Sequence, residues 1–471
     1  MNQLTTLVCE EMGYSPSDKL GPEDISVMLM LLQDLYPINT FHQSLSSIKT
    51  MYPDIIDWDL LSRDNVLQSF LDRVSSIQQE RVTLKSPCLR VNPIPQFAYT
   101  EPVFAIIFNS SATLIQDTIH QMQNDSWKSC NEGTPIRIMG IHKDWLDFST
   151  NTPSTHRGLS IDNKGLIVEE TFKEPVFIKC AFITHLDIDT EQRVHRELTM
   201  AFHNSAVKIV NPEFESSKSP DSKSWCHSTW KPNIPTPECM YFDKSNPISE
   251  IFIRNFLNTN RLNDDFIAQP DRMTEGIDIQ TSRRNEQTAS SITKFICEGL
   301  EKNNAMIVRH RRGNFYFKKE NIFYPFVLRV NVFSKDGCYE AKSGFGLISS
   351  TPDNWICSRS HGSDIISPCE LFSSLAFNIE GQFHSYPISQ SDIDTITQTA
   401  VLALKTINNA RSFELGASGV DIVIEHDTSN KVVPVVIEIN SRPSGLAHSR
   451  LISLYKNDLY ISSLIYEYFR G

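Results

Sequence analysis

Two apolar segments near the carboxyl end decide how this sequence is interpreted: GVDIVI at residues 419–424 and VVIEINSRPSG at residues 435–445. Between them lies the segment HDTSN at residues 426–430, whose composition is typical of a turn. Two short apolar segments separated by a polar turn predict a pair of antiparallel strands. The sequence therefore predicts a β-hairpin in this region.

Polar side chains alternate with apolar or small ones along the second strand of this hairpin. Glu438, Asn440 and Arg442 are separated from one another by Ile439 and Ser441. Because successive side chains of a strand point to opposite faces, the three polar side chains are expected on one face.

The first strand adds Asp421 to this face if the turn has four residues, 427–430. That turn would set Asp421 opposite Val436, and hence on the face of Glu438. Pro434 leaves open a bulge that changes the register, since a proline in a strand lacks the N–H group of the ladder.

The side chains on this face suit a divalent cation. Asp421, Glu438 and Asn440 supply only oxygen ligands, which Mg²⁺ prefers, and Mg²⁺ commonly bridges such ligands to substrate phosphates. The neighbouring Arg442 could neutralise a phosphoryl group or bind a carboxylate at two points. An ordinary hairpin with its polar face toward water is the alternative.

The paired segments resemble the carboxy-terminal metal-binding hairpin of ATP-grasp ligases. In that family an acidic residue and a following E-x-N pair hold two magnesium ions against the phosphates of ATP. The resemblance implies ATP and two Mg²⁺ ions as cofactors, with Asp421, Glu438 and Asn440 as metal ligands and Glu438 bridging.

Further segments resemble other elements of the family and occur in the family's order. They are VKIVNP at residues 207–212, DSK at 221–223, IPTP at 234–237, FIAQPD at 266–271 with TEGI at 274–277, MIV at 306–308 and YPFVLRV at 324–330. The resemblance implies nucleotide-binding residues, namely Lys223, Gln269, Glu275, Gly276, Ile307 and Val308. Ile307 and Val308 would contact adenine through their main chain, and Arg329 and Arg442 would stabilise charge on the transferred phosphoryl group.

Three positions depart from the family pattern. Gln269 stands where a lysine normally reaches the phosphates, Arg309 stands where an acidic residue is common, and the phosphate loop has only Gly276. Arg272, Arg309 and Arg311 are candidates for supplying the missing charge. These departures leave open a catalytically weakened protein or a kinase that acts only in nucleotide binding or regulation.

The expected fold class is α/β and α+β, with two α+β subdomains of the ATP-grasp fold sandwiching ATP. The predicted domains are a helical region at 1–92, a small parallel-sheet α/β domain at 93–212, a nucleotide-binding subdomain at 213–318 and a metal- and substrate-binding subdomain at 319–471. Two uses of the first region stay open, either dimerisation or site coverage, or a purely structural cap.

Composition narrows the partners and the compartment. A net charge of −12 argues against a general nucleic-acid binder. The chain has no apolar run of the ~20 residues that span a bilayer, and its cysteines are scattered singly, so a cytoplasmic protein is expected. The predicted reaction forms an amide bond between a carboxylate and an amine through an acyl-phosphate. The expected substrates are small molecules of the amino-acid or short-peptide class. A homodimer is compatible with the sequence.

Overall fold

The structure is a computed structural model that describes twelve stretches of the chain. These are residues 103–108, 137–161, 167–183, 191–205, 207–214, 216–245, 248–259, 265–272, 278–358, 361–427, 431–442 and 449–454. The described residues fall into two compact units, and the boundary along the chain lies between Val210 and Asn211. The helical region predicted at 1–92 lies outside the described residues. So does the segment 112–122, where apolar side chains at helical spacing predict a helix. The four predicted domain ranges stay predictions.

Within the described residues, the first unit contains a six-stranded sheet and one α-helix. Its strands are β1 (Val103–Phe108), β2 (Arg137–His142), β3 (Leu146–Asp147), β4 (Ser154–Ile161), β5 (Ile167–Ile183) and β6 (Lys208–Ile209), and its helix is α1 (Glu191–Asn204). The strand order is β3-β4-β2-β1-β5-β6. The spacing of Val194, Leu198, Ala201 and Phe202 predicts a helix over 191–204, and α1 has these bounds, with Leu198 and Phe202 buried in the core.

The prediction of a parallel sheet is wrong for part of this unit. Strands β2, β1, β5 and β6 pair in parallel. Strand β4 pairs antiparallel with β2 and β5, so the sheet is mixed. The segment 175–180, whose apolar side chains predict a short strand, lies in the carboxyl half of the longer β5. Strands β4 and β5 form a hairpin. A short connection allows only antiparallel pairing.

The second unit contains a four-stranded antiparallel sheet covered on one face by helices. The strands are β7 (Cys239–Asp243), β8 (Asp265–Pro270), β9 (Gln280–Arg283) and β10 (Ala305–His310), in the order β7-β10-β8-β9. Helices α3 (Glu250–Thr259) and α4 (Thr288–Lys302) pack on it. Ala268, Met306 and Val308 point into this core, so Ile267, Gln269 and Arg309 lie on the opposite face.

A nine-stranded sheet completes the second unit. Its strands are β11 (Phe315–Lys319), β12 (Ile322–Lys335), β13 (Cys338–Ile348), β14 (Asp364–Ile366), β15 (Leu375–Ile379), β16 (Gln382–Ser385), β17 (Ala417–His426), β18 (Val432–Asn440) and β19 (Arg450–Leu451). The main path is β14-β13-β12-β11-β15-β16, with β17 between β12 and β18. Mixed α and β structure is thus shown for the described residues.

Three helices belong to this part of the chain: α2 (Lys223–Trp230), α5 (Pro368–Ser373) and α6 (Gln390–Ala410). Helix α6 begins with a capping box between Ser389 and Asp392. Its apolar side chains recur at helical spacing and are buried against the sheet. Trp230 of α2 is also buried there and donates its indole N–H to the carbonyl of Ala403 at 3.1 Å. Among the described helices, none is long and apolar enough to cross a bilayer.

The predicted hairpin is present, with a register different from the predicted one. Strand pairing ends at His426 opposite Val432, so five residues, 427–431, connect the strands instead of four. Pro434 pairs with Ile424 without a shift, and it lies on β18, which pairs with β17 alone. A proline is tolerated there because one side of an edge strand carries no ladder.

A bulge moves the register by a second residue. Ile437 has no partner on β17, so Asp421 lies opposite Glu438 and not opposite Val436 as predicted. The longer turn and the bulge each shift the pairing by one residue, and together they restore the parity. Asp421, Glu438 and Asn440 therefore share one face as predicted, for a reason that the sequence did not show.

Gly344 on β13 lies where the neighbouring strand leaves no room for a side chain. A Cβ atom there would lie 2.1 Å from the carbonyl oxygen of Arg329, whereas one at Gly346 would lie 3.0 Å from a rotatable methylene of Ile366. We expect Gly344→Ala to lower the free energy of unfolding by about 3 kcal/mol and Gly346→Ala by about 1 kcal/mol. Urea denaturation measures both, and equal losses would contradict the backbone clash.

Candidate functional site

The first part of the site is an ion pair between the hairpin and the strand beside it. Asp421 on β17 lies opposite Arg329 on β12. Arg329 donates Nε–H to Oδ1 and Nη2–H to Oδ2 of Asp421, both at 2.8 Å. Asn440 donates its amide to the same Oδ2 at 3.2 Å. Two parallel charge-assisted hydrogen bonds fix the plane of the Asp421 carboxylate.

A glycine makes this ion pair sterically feasible. A Cβ atom on Gly419 would lie 2.9 Å from Cδ of Arg329, so the arginine side chain crosses β17 over a residue that has no side chain. The guanidinium then lies above the ring of Phe345, at 5.7 Å from its centroid. Arg329, Asp421 and Asn440, which were predicted separately, are therefore brought together.

The second part of the site joins helix α2 to the hairpin. Lys223 is the first residue of α2, and Ser222 caps the helix by accepting the N–H of Trp225 at 3.3 Å. The Lys223 ammonium lies 3.2 Å from a carboxylate oxygen of Glu438. The lysine side chain is 5% exposed, while that of Glu438 is 28% exposed. The structure thus places the predicted phosphate-binding lysine beside the predicted bridging metal ligand.

Asp271 holds Lys223 in place, although sequence analysis did not assign it a role. It is buried directly after β8, and its carboxylate accepts the Ser222 hydroxyl at 2.7 Å and the N–H of Ser224 at 2.8 Å. An anion is favoured there because helix N-terminal N–H groups carry partial positive charge. An acidic residue directly after a strand is a sequence signal for a functional position, but its partner at residue 222 cannot be inferred from spacing.

His227, one turn along α2, is a second residue that sequence analysis missed. Its Nε2 lies 2.8 Å from the carbonyl oxygen of Ile437, so Nε2 carries a proton that it donates to this acceptor. Ile437 is the bulged residue of β18. Burial lowers the pKa of His227 from 6.5 to about 4, and the charges of Arg309 and Lys223 act in the same direction. The imidazole is therefore neutral at neutral pH.

Arg309 and Gln269 lie on the face of the four-stranded sheet opposite helices α3 and α4. Both are buried. Burial lowers the pKa of the Arg309 guanidinium, and the charge of Glu438 opposes that shift, which places Arg309 within electrostatic reach of the hairpin. The predicted residues Lys223, Gln269 and Glu438 thus occupy one region together with Arg309.

Arg442 has a different environment from the one its predicted role requires. Its Nη2 donates to Asp221 Oδ2 at 2.9 Å, and the hydroxyl of Ser441 donates to Asp221 Oδ1 at 2.9 Å. The side chain of Arg442 is only 3% exposed. These contacts tie the end of β18 to the residues before α2, so the geometry supports a positioning role for Arg442 rather than contact with a substrate.

Ile307 and Val308 do not fit the predicted adenine contact. Strand β10 is an interior strand, and both residues pair with β7 on one side and with β8 on the other. Their main-chain groups are therefore used by the sheet, and both residues are fully buried. The predicted phosphate-loop residues Glu275 and Gly276 lie outside the described residues.

The oxygen donors of the hairpin face fit Mg²⁺, with a restriction. Glu438 and the amide oxygen of Asn440 are hard ligands, and Asp421 Oδ1 accepts one hydrogen bond and retains a lone pair. Both carboxylates, however, are already neutralised by cations. In the described part of the chain no group of three His, Cys, Asp or Glu side chains is placed to hold a metal ion. The set therefore suits an ion that arrives with additional oxygen ligands.

Comparison with known proteins gives similarities at the level of three-dimensional structure. No family model and no curated protein matches the chain. The VanG D-Ala:D-Ser ligase from Enterococcus faecalis is 16% identical over 79% of this chain and 99% of that one, with a TM-score of 0.49.

Two further structures are similar to the same extent. The D-alanine-D-alanine ligase from Coxiella burnetii is 12% identical over 78% of this chain and 90% of that one, with a TM-score of 0.46. The D-cycloserine synthetase DcsG is 11% identical over 78% of this chain and 99% of that one, with a TM-score of 0.45.

The paired carboxylates predict that Mg²⁺ binds together with a nucleotide. Arg329 and Lys223 already neutralise Asp421 and Glu438, so the bare ion gains little, whereas phosphate oxygens would add ligands and negative charge. We expect calorimetry to detect no binding of MgCl₂ at about 1 mM and clear binding of MgADP. Micromolar binding of Mg²⁺ alone would contradict this expectation.

The neutral state of His227 predicts a pH dependence of stability. Because its pKa is about 6.5 when unfolded and about 4 when folded, the unfolded chain binds the extra proton between these values. Stability is therefore lost as pH falls through this window, by up to about 1.4 kcal/mol per pH unit. His227→Gln keeps a donor for Ile437 and removes this titration. Urea denaturation across the window should show a shallower loss in the variant, and identical profiles would refute the assignment.

Proposed function

We propose that this chain is an ADP-forming ligase of the ATP-grasp type, which uses ATP and Mg²⁺ to join a carboxylate to an amine. The observation that carries the proposal is the contact between Lys223 and Glu438. These residues lie far apart in the chain, and the family pattern assigns one to phosphate and the other to metal. Their 3.2 Å contact brings the two side chains close enough to act on the same metal-bound phosphate group.

The proposed reaction transfers the γ-phosphoryl group of ATP to a substrate carboxylate, and an amine then displaces phosphate to give an amide. Lys223 would hold phosphate oxygens through its ammonium group. Arg329 would stabilise charge on the transferred group and keep Asp421 oriented. Such pre-oriented charges lower the barrier because they need no reorganisation during the reaction.

The metal ligands of this proposal are Glu438, Asp421 and Asn440. Bound there, Mg²⁺ would supply positive charge next to the β- and γ-phosphates. The residues that hold these ligands are part of the same design. Asp271 fixes the start of α2, and His227 ties that helix to the bulged residue of the hairpin.

We propose amino acids or short peptides as substrates, and the fold of the proposal is two α+β subdomains around the nucleotide. The test is to incubate the purified full chain with MgATP and a panel of amino acids, singly and in pairs. Amine-dependent release of ADP and phosphate, with a condensed product in the mass spectrum, supports the ligase. Phosphate transfer without condensation indicates a kinase. Nucleotide binding without turnover indicates a regulatory protein, and neither outcome is compatible with the ligase.

Glu438→Gln provides a sharper prediction. Replacing the bridging carboxylate by an amide removes one charge and one metal ligand, so turnover should fall by at least about 100-fold. The fold should be retained because the amide oxygen can still accept from Lys223, while stability should fall because the buried ammonium loses its counter-charge. ADP release measures the effect, with circular dichroism as a check of the fold.

Glu425→Gln is the matched control. Glu425 lies on β17 of the same hairpin, and it is likewise paired with a cation, Arg312, at 2.6 Å. This substitution should leave turnover within about two-fold of the wild type. Equal losses in the two variants would show that the effect belongs to the hairpin as a whole, and unchanged turnover in Glu438→Gln would exclude the metal assignment.

A further inference from the structure

Two buried side chains with hydrogen-bond donors lie next to each other on the four-stranded sheet, on the face opposite helices α3 and α4. Gln269 on β8 pairs with Ile307 on β10, and Arg309 follows two residues later on the same strand. Gln269 and Arg309 therefore share a face as diagonal neighbours, about 7–8 Å apart between Cα atoms. Gln269 is 4% exposed and Arg309 is 8% exposed.

Neither side chain has an acceptor within the described part of the chain. Gln269 Nε2 and Arg309 Nε are buried and make no hydrogen bond there. A buried N–H group without an acceptor is costly, because it has lost its hydration and gained no acceptor in exchange. Two such donors side by side indicate an acceptor that is not one of the described residues.

Two other arginines near this sheet are already paired. Arg311 forms an ion pair with Asp265 at 3.1 Å, and its guanidinium lies 4.9 Å from the centroid of the Trp355 ring. Arg312 forms an ion pair with Glu425 at 2.6 Å. Their positive charges are thus matched by carboxylates, whereas that of Arg309 is not.

The surroundings of Arg309 favour an anionic acceptor. The charges of Lys223 and Arg309 both act on His227, so the two cations lie around the same imidazole. Glu438 also acts on Arg309, but Glu438 is in ion-pair contact with Lys223. The region therefore combines two cations and an amide donor with two carboxylates, since Asp271 also acts on His227, and Asp271 already accepts hydrogen bonds from the start of α2.

We propose that Arg309 and Gln269, together with Lys223, form a binding site for a phosphoryl group, in which Arg309 supplies the positive charge that the glutamine lacks. This inference rests on the proposed nucleotide site, and it selects Arg309 from the three arginines, Arg272, Arg309 and Arg311, that the sequence leaves as candidates for the missing charge. The planar guanidinium presents Nε–H and Nη–H donors in a fixed geometry that matches two oxygens of a phosphate. The amide of Gln269 donates to the same group.

Removing Arg309 should change stability and affinity in opposite directions. Without ligand, Arg309→Gln relieves a buried unpaired charge, so the thermal midpoint should stay the same or rise. Binding of MgADP and of inorganic tripolyphosphate should weaken by about 10- to 100-fold, the range for charge-assisted hydrogen bonds. A purely structural arginine would give the reverse, a lower midpoint with unchanged affinity.

The experiment is calorimetry on the full chain with MgADP, sodium tripolyphosphate and adenosine, together with thermal denaturation of the free protein. Adenosine lacks phosphate, so its binding should not differ between the wild type and Arg309→Gln. Tripolyphosphate tests free polyphosphate as the source of the group, and ADP tests a nucleotide. Arg254→Gln is the control for net charge, because Arg254 is 59% exposed on α3 and paired only within its helix.

A double variant tests whether Arg309 replaces a lysine at position 269. Gln269→Lys in the Arg309→Gln background returns a cation to the neighbouring strand and should restore at least half of the lost affinity on a logarithmic scale. Wild-type affinity for ADP in Arg309→Gln would overturn this inference and leave the proposed function intact. If the wild-type protein binds neither ADP nor tripolyphosphate, both fail.

Discussion

The contact between Lys223 and Glu438 is the interaction on which the candidate site depends. It joins the first residue of helix α2 to strand β18 at the edge of the nine-stranded sheet. Neither residue is positioned by its own element alone. Asp271 fixes the start of the helix by accepting from Ser222 and Ser224. On the other side the bulge of β18 turns Glu438 toward Asp421. A small ionic contact therefore reports the alignment of two separate parts of the fold.

Charge in this region is matched pair by pair rather than left for a ligand to neutralise. Asp421 is satisfied by Arg329, and Glu438 by Lys223. Arg309 departs from this pattern, since it is a buried cation without a described acceptor. Its place on β10, beside the glutamine on β8, suggests that a positive charge has moved to the adjacent strand while the face of the sheet stayed the same. The free energy of such an arrangement improves only when an anion is bound.

Local pattern predicted much of the fold, and long-range geometry explains what it missed. Apolar side chains at helical spacing predict helices at 191–204, 290–301 and 391–413, and turn composition predicts the hairpin. The structure has α1, α4, α6 and the hairpin at these places. The shared face of Asp421 and Glu438 was predicted correctly from a register that was wrong, because the turn and the bulge offset each other. Asp271 and His227 were missed since their roles come from partners far away in sequence. The sequence pattern predicts the strand that contains Ile307 and Val308. It does not tell how many neighbours that strand has, and the pairing of β10 on both sides was therefore not predicted.

The outer edge of β18 has a consequence for association between chains. An edge strand normally offers unpaired N–H and C=O groups that can recruit a strand from another molecule. Here Val436 donates its N–H to Pro235 at 2.9 Å and accepts the Thr236 hydroxyl at 2.9 Å. His227 occupies the carbonyl of Ile437. The segment that leads into β7 thus covers the edge of the hairpin at Val436, and the backbone groups of Val436 and the carbonyl of Ile437 are not available to a strand from another molecule.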